Sequence, residues 1–194
     1  MDAIYAVPSL GIDPATGREV YRKRDGSSTY DWDTNDMVVV GNSLPDFSSN
    51  FGFNLQYKNF IVNATCRYIF GGQTYNTTLV NRVENANIYQ NVDLRVLSDR
   101  WQKPGDKAFF KAINNSVSTL ATSRFVEDNN QLTLASVQFQ YELDRIANIK
   151  KLGFSRLRVG LLSNETFVLS TVKIERGTSY PFARQFQFTL NANF

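Results

Sequence analysis

The side chains of Phe182–Phe194 alternate between apolar and polar. Six of the seven even-numbered positions are apolar, whereas five of the six odd-numbered positions are polar. Successive side chains of a β-strand point to opposite faces, so one strand here would carry an apolar face and an amide-rich face. A helix would bring Phe182, Phe186 and Leu190 to one side but would leave Phe188 unexplained. The pattern predicts a β-strand, and its recurrence along the chain predicts an all-β fold.

Two more alternating runs are joined by only two residues. In Phe47–Tyr57 the aromatic and aliphatic residues occupy odd positions, while Ser, Asn, Gly and Gln occupy the even ones. In Phe60–Phe70 every even position is apolar. Two such runs separated by Lys58-Asn59 predict an antiparallel β-hairpin.

Two further strands are expected at Gln131–Leu143 and Ser155–Ser163. In the first, the apolar side chains occupy even positions as far as Leu134 and odd positions from Ala135 onwards. Such a change of parity within one strand predicts a β-bulge near Leu134–Ser136.

The connections between these strands differ in length. Those at Lys58-Asn59 and Asp144–Phe154 are short, whereas Gly71–Asn130, with 60 residues, and Asn164–Pro181 are long. Short turns at one rim, long loops at the other and strands of ~9–13 residues are typical of outer-membrane β-barrels. Aromatic residues lie at both expected rims, as at two membrane interfaces: Tyr57, Phe60, Tyr141 and Phe194 at one, and Phe47, Tyr68, Phe70 and Phe182 at the other. The sequence predicts a segment of an antiparallel transmembrane β-barrel with long extracellular loops.

A soluble β-sandwich that binds carbohydrate or protein is the alternative, because its strands also alternate. The outward face of a sandwich usually carries many Lys, Glu and Asp, whereas the polar face here is mostly Asn, Gln, Ser and Thr, as expected for a hydrated lumen. About five strands cannot close a barrel, since the smallest outer-membrane barrels need ~8. The N-terminal sequence MDAIYAVPSL does not resemble a signal peptide. We therefore expect the tail of a longer protein rather than one barrel shared by several copies.

The composition excludes several kinds of chemistry. The chain has no histidine and a single cysteine, which excludes Ser-His-Asp triads, His-ligated metal sites and an intrachain disulfide. The net charge of +3 is spread along the chain, so nucleic acid is not expected as a partner. Asp31–Asp36 begins like an EF-hand loop, but Asp36 replaces the required Gly and Asn42 replaces the bidentate Glu. We expect neither an enzyme nor a cofactor nor a metal site, although calcium near Asp31–Asp36 is left open.

Five segments spread over most of the chain add a different signal. They are Gly11–Gly17 (GIDPATG), Val40–Phe60, Phe70–Asn76 (FGGQTYN), Asp99–Asp106 (DRWQKPGD) and Glu175–Phe194. In their order and spacing they resemble the SusC/RagA family of TonB-dependent outer-membrane transporters.

The resemblance implies a much longer parent protein in the outer membrane. That protein would be a 22-stranded barrel with an N-terminal plug, of which this chain holds the last five or so strands, in contact with membrane lipid. Such proteins import bulky nutrients, typically oligosaccharides or peptides. A SusD-like surface lipoprotein covers the barrel mouth, and the TonB complex, acting through the missing N-terminal part, supplies the energy.

This interpretation divides the chain into an extracellular loop or hairpin segment, 1–46, and the C-terminal β-barrel strands, 47–194, with a long extracellular loop at 71–130. Within that loop, three aromatic residues offer flat surfaces for a sugar or peptide ligand: Tyr75, Tyr89 and Trp101.

The alternative role for Trp101 is to pack the long loop against itself. A short helix capped by Asn91 and running as far as Trp101 would place Leu94, Leu97 and Trp101 on one face.

The last strand carries a further prediction. Because Phe182–Phe194 ends at an aromatic residue and has apolar residues at alternate positions, we expect it to close the barrel and to be the signal for the barrel-assembly machinery. The residues of this signal are Phe186, Phe188, Leu190 and Phe194. On the polar face of other strands, Arg67, Arg156 and Arg158 are expected to neutralise carboxylates of the wall or plug.

Overall fold

The computed structural model describes residues 2–87, 89–90, 92–143, 153–172 and 185–193. The chain divides into two compact units. The loop unit comprises Met1–Pro45 and Gly71–Asn129, and the sheet unit comprises Asp46–Phe70 and Asn130–Phe194.

The described residues are mostly strands, which are β1 (Ala3–Ala6), β2 (Ser9–Ile12), β3 (Glu19–Arg22), β4 (Ser28–Thr29), β5 (Val38–Asn42), β6 (Phe47–Tyr57), β7 (Phe60–Tyr75), β8 (Val126–Glu142), β9 (Arg156–Ser170) and β10 (Phe186–Asn193). The helical elements are α1 (Thr77–Leu79), a π-helical turn over Val80–Glu84, and 3-10 turns at Thr34–Asp36, Leu94–Leu97 and Ser123–Phe125. In the described ranges, none of these helices has the length and apolar composition to cross a membrane.

The predicted hairpin is confirmed. β6 and β7 pair antiparallel from Tyr57 opposite Phe60 to Phe47 opposite Phe70. The two-residue turn places Lys58 at a φ of 53°, a left-handed conformation that two-residue hairpin turns require.

β6 to β10 form one antiparallel sheet in the order β10-β9-β8-β7-β6. One face of this sheet is apolar and uncovered in the described residues: Phe53 of β6 is 60% exposed and Phe188 of β10 is 71% exposed. In a β-sandwich the apolar face would be buried against a second sheet. The described sheet therefore does not favour the soluble sandwich.

The predicted irregularity lies between β8 and β9. Their register shifts between Leu134 and Ser136, where Glu165 and Thr166 of β9 lie opposite the single residue Ala135. The extra residue is thus in β9, although the parity change was read from β8. Glu165 has a φ of 47°, a left-handed conformation that occurs at bulges.

The bulge changes the face on which apolar side chains lie, because one extra residue reverses the alternation of β9. Glu165 forms an ion pair with Arg67, a residue of the amide-rich face, at 3.6 Å. On β8, Gln138 accepts a hydrogen bond from Asn63 on that same face. By the register, four apolar side chains beyond the bulge also lie on the amide-rich face; this bulge patch consists of Leu132, Leu134, Phe167 and Leu169.

The strands extend beyond their predicted ends. β7 continues to Tyr75, β8 already begins at Val126, and β9 continues to Ser170. Gly71-Gly72 and Asn129-Asn130 are typical of loops, but backbone pairing continues through them. The predicted residues Phe182 and Phe194, and most of the connection Asp144–Phe154, lie outside the described residues.

Ion pairs on the amide-rich face join different strands of the sheet. The Arg158 guanidinium of β9 contacts the Glu142 carboxylate of β8, and Arg67 pairs with Glu165. Two of the three arginines predicted on this face thus neutralise carboxylates of the same sheet.

The loop unit has two small sheets, β1–β5 and β2-β3-β4. Its core is formed by Leu79, Val80, Val83, Val96, Phe110 and Phe125. Asn76 caps α1, since its side chain accepts a 2.9 Å hydrogen bond from the Leu79 amide.

The predicted helix from Asn91 to Trp101 is replaced by a single 3-10 turn at Leu94–Leu97. The turn is capped by Asp93, whose side chain accepts from the Arg95 amide at 2.8 Å. It ends at Ser98, where the backbone is extended. The predicted cap Asn91 lies outside the described residues.

Candidate functional site

Trp101 holds the turn that connects β2 and β3. Its indole Nε1–H donates to the carbonyl of Pro14 at 2.8 Å. Its ring lies against Gly17, where a Cβ atom would come within 2.5 Å of two ring carbons. The Gly17 carbonyl accepts from the Ala112 amide at 3.0 Å. Trp101 thus packs against the β2–β3 turn, which lies outside the long loop 71–130 that the packing alternative invoked.

The other two aromatic residues predicted for ligand binding have different surroundings. Tyr75 packs edge-on against Phe125, with ring centroids 6.3 Å apart, and its hydroxyl donates to the Leu120 carbonyl. Tyr89 is 91% exposed. The structure does not bring Tyr75, Tyr89 and Trp101 together in one cleft.

A buried ion cluster forms the polar core of the loop unit. The Arg124 guanidinium contacts the Glu19 carboxylate at 2.8 Å and the Glu84 carboxylate at 2.6 Å, with all three side chains almost fully buried. Thr122 donates to Glu19 at 2.7 Å. The cluster therefore links β3, the π-helical turn and the 3-10 turn that precedes β8.

The charges in this cluster stabilise one another. Burial alone would raise the pKa of the Glu19 carboxyl, but hydrogen bonding and charge from Arg124 outweigh it and lower that pKa below its ordinary value. Burial opposes the charged form of Arg124 as well, and the two carboxylates outweigh it and raise the pKa of Arg124. Burial raises the pKa of Tyr21, and the neighbouring Glu19 charge adds to this.

Lys111 extends the cluster toward the surface. Its ammonium group donates to Asn85 and Thr119, each at 3.0 Å, and to the Val117 carbonyl. Burial lowers the pKa of Lys111, partly offset by the charge of Glu84. Because one buried ammonium holds several groups of one loop, the segment 111–120 is fixed to the core.

A cleft of the loop unit lies between the β3–β4 region and the segment 111–120. Its volume is about 610 Å³, within the ~300–1,000 Å³ that ligand pockets usually have. We call it the Tyr30 cleft; its principal lining residues are Arg18, Tyr30, Asp31, Trp32, Asn114 and Ser118.

The aromatic wall of the Tyr30 cleft is held by hydrogen bonds. Tyr30 is 42% exposed, and its hydroxyl donates to Asp13 at 2.8 Å. The Arg18 guanidinium lies 4.8 Å from the Tyr30 ring centre and pairs with Asp31 at 3.8 Å. The Trp32 indole donates to the Ala121 carbonyl at 2.9 Å.

Two smaller clefts share the segment 111–120. One, of about 350 Å³, is lined by Trp101 and Leu97, and the other, of about 360 Å³, by Tyr89 and Arg100. Asn114 lines all three clefts. The sequence did not single out Tyr30, Trp32 or Asn114, although two aromatic residues in three positions beside charged residues were a visible signal.

Three of the four residues predicted as an assembly signal lie on β10. Phe186, Phe188 and Leu190 share the exposed apolar face of the sheet unit, where Phe188 is opposite Leu161. Phe194 lies outside the described residues.

No group of three or more acidic or cysteine side chains in the described ranges is arranged to hold a metal ion. In the segment resembling an EF-hand, Asp33 instead accepts hydrogen bonds from the Asn35 amide and side chain. Asp36 accepts from the Arg24 amide at 3.0 Å.

No family model matches the chain. Among curated proteins it is similar to three TonB-dependent receptors of Formosa agariphila. Receptor P39 is 23% identical over 158 residues, covering 79% of this chain and 15% of the receptor. Receptor P3 is 28% identical, covering 70% of this chain and 13% of the receptor. Receptor P26 is 29% identical, covering 57% of this chain and 11% of the receptor. The chain thus spans about one seventh of the length of the relatives it matches.

Solved structures of the RagAB peptide importer have a similar fold. In its open-open state, one chain aligns with a TM-score of 0.71 at 16% identity, covering 88% of this chain and 19% of the importer chain. In the closed-closed state the TM-score is 0.68 at 17% identity, and the alignment covers 88% of this chain and 20% of the importer chain. The chain is therefore similar in sequence to TonB-dependent receptors and in fold to part of one chain of the RagAB importer.

Proposed function

We propose that the complete protein imports bulky nutrients, oligosaccharides or peptides, across the outer membrane, and that this chain forms part of its barrel wall and external loops. The observation that carries the proposal is the uncovered apolar face of the sheet unit, in a chain related to TonB-dependent receptors. Phe53, Leu55, Phe188 and Leu190 on that face suit contact with lipid. The amide-rich face suits a hydrated lumen.

The edges of the sheet support a larger barrel. In the described residues, β6 and β10 each pair on one side only. An unpaired strand edge in lipid leaves N–H and C=O groups without partners, at a cost of several kcal/mol per group. We propose that strands from the rest of the protein, in a barrel of 22, pair with both edges.

The partners belong to the same proposal. The resemblance to the SusC/RagA family and the fold shared with the RagAB peptide importer support a SusD-like surface lipoprotein as the partner of this protein. The TonB complex would supply energy through the plug. Recognition by the barrel-assembly machinery is proposed for the β10 residues Phe186, Phe188 and Leu190, together with Phe194.

Uptake by intact cells tests the function. Cells that carry or lack the complete transporter are given fluorescent oligosaccharides or peptides, each with and without a functional TonB complex. We expect uptake that needs both the transporter and TonB. Equal uptake by cells that lack the transporter would contradict the proposal.

A further inference from the structure

Hydrogen bonds hold both walls of the Tyr30 cleft in place. One wall comes from β3 and the residues that follow it, and the other from the segment 111–120. Both walls are fixed independently of any ligand, since Lys111 holds the Val117 carbonyl and Trp32 donates to Ala121. A site whose walls are already ordered loses little conformational freedom on binding.

The formal charges on the lining of the cleft sum to zero. Apart from tyrosines, its ionisable groups are Arg18, Glu19, Asp31 and Lys111, two positive and two negative. Arg18 pairs with Asp31 at 3.8 Å, Glu19 pairs with the buried Arg124, and the Lys111 ammonium is buried and donates to Asn85 and Thr119. A ligand with a net charge would gain no net attraction from such a lining, which therefore favours a neutral ligand.

Hydrogen-bonding groups remain available on the lining. Among the described residues, the side-chain amide of Asn114 and the hydroxyl of Ser118 have no hydrogen-bond partner, and both face the cleft. An amide offers two donors and an acceptor, and a hydroxyl offers one donor and an acceptor. With the rings of Tyr30 and Trp32 opposite, the cleft combines flat apolar surfaces with amides and hydroxyls.

The backbone beside the cleft does not favour peptide capture by strand addition. An extended peptide commonly binds by adding to a free strand edge or through its charged ends. β3, which supplies Glu19 and Tyr21 to the cleft, already pairs with β2 and β4 on its two sides. The cleft thus lacks the free strand edge used in strand addition, and its balanced charges give no excess of one sign to hold a charged chain end.

We infer that the Tyr30 cleft is a binding site for a neutral oligosaccharide, with sugar rings against Tyr30 and Trp32 and hydroxyl groups on Asn114 and Ser118. The inference rests on the proposed transport function, to which it adds a substrate class and a place of first contact outside the sheet unit.

Calorimetric titration of the intact purified transporter tests the site. The probes are hexaoses derived from glucan, mannan and xylan, a hexamer of galacturonic acid, and hexapeptides with blocked ends and no charged residue. We expect at least one neutral hexaose to bind. We expect Tyr30→Ala and Asn114→Ala to raise its Kd about tenfold, as loss of a central contact does.

Tyr5→Ala is the matched control, because Tyr5 is an exposed tyrosine of the loop unit outside the three clefts. Its Kd should equal that of the unsubstituted protein. Asn114 lies at an exposed loop position, so Asn114→Ala still tests the site if Tyr30→Ala does not fold. A thermal melt of each variant shows whether it is folded.

Three results would overturn the inference: binding only of the charged hexamer or of the peptides, binding of none of the probes, or an unchanged Kd in both cleft variants. TonB-dependent uptake separates this failure from failure of the transport function. If the transporter still imports a nutrient but the cleft variants bind the hexaose with an unchanged Kd, the inferred site is wrong and the transport function stands.

Discussion

The indole ring of Trp101 occupies the space in which a side chain at Gly17 would stand. A Cβ atom on Gly17 would lie 2.5 Å from ring carbons Cδ2 and Cε3, and Gly17 itself has a φ of 69°. The same indole donates to Pro14 in that turn. Trp101 and the β2–β3 turn therefore fit each other only when residue 17 is glycine.

Gly17→Ala should destabilise the loop unit through both backbone strain and the clash with Trp101. Strain at a left-handed position costs ~1 kcal/mol, and overpacking a filled site adds ~1–3 kcal/mol. Native-state hydrogen exchange of the intact protein reports the free energy of opening of this unit.

Gly26→Ala is the control, because Gly26 has a φ of 88° but nothing within 4 Å of the added Cβ atom. It should show the strain without the clash. A loss of stability as large at Gly26 as at Gly17 would remove the role assigned to Trp101.

Arg124→Met should destabilise the loop unit strongly. It leaves Glu19 and Glu84 buried without their shared cation, and breaking a buried pair typically costs ~3–5 kcal/mol. Arg18→Met removes the exposed ion pair with Asp31 and should cost ~0–1 kcal/mol. Hydrogen exchange of β3 and of the segment 80–84 compares the two variants, and equal effects would show that the cluster is not a stabilising centre.

Stability of the loop unit should fall in acid. The pKa of Glu19 is lower in the folded protein than its ordinary value of 4.5, so its contribution is fully present above that value and is lost as the pH falls through the folded pKa. Hydrogen exchange of β3 between pH 6 and pH 3, corrected for the intrinsic rate, measures the loss. In Glu19→Gln the stability of the loop unit should depend less on pH. An unchanged pH profile would show that other groups cause the loss of stability in acid.

Glu165→Gly should be tolerated at the bulge of β9. Glycine adopts the observed φ of 47° without strain, while the exposed ion pair with Arg67 that it removes is worth ~0–1 kcal/mol. Glu165→Val places a β-branched residue in the same conformation and should cost ~1–3 kcal/mol. Thermal unfolding of the two purified variants measures the difference, and the glycine variant should be the more stable one. A more stable valine variant would argue against a left-handed conformation at the bulge.

Two neighbouring residues of β10 should differ in their tolerance of a lysine substitution. On the proposed lipid-facing surface, Phe188→Lys costs ~2–4 kcal/mol near the middle of the membrane, whereas Gln187→Lys faces the lumen and costs little. The amount of folded transporter in isolated outer membranes measures the difference. Equal amounts of the two variants would show that the assignment of the faces is wrong.

Alternation predicted the hairpin and the bulge because both depend on local side-chain period. The Lys58-Asn59 turn follows from two in-phase runs, and a change of parity in β8 located the bulge near Ala135. The sequence could not show which strand holds the extra residue, because Glu165 in a left-handed conformation is uncommon for a residue other than glycine. Strand ends such as Tyr75 were missed because pairing across strands, rather than local composition, decides where a strand stops.

The site was harder to predict because it is assembled from distant parts of the chain. Tyr30 and Asn114 line one cleft although more than eighty positions separate them. The pairing of Arg124 with Glu19 and Glu84 likewise joins three separate segments. Aromatic residues chosen by their position in one loop, such as Trp101 and Tyr75, proved to be packed by partners that a linear pattern does not reveal.

The amide-rich face carries a patch of apolar side chains beside the bulge of β9. Along most of that face Asn, Gln and Arg side chains can bind water, but the bulge patch of Leu132, Leu134, Phe167 and Leu169 presents only hydrocarbon. The Arg67–Glu165 ion pair borders this apolar patch, so water on the face can bind beside the patch but not to its side chains. On β9 the inserted residue turns Phe167 and Leu169 onto a face that is otherwise polar, so one residue decides where a proposed lumen wall offers hydrocarbon instead of hydrogen bonds.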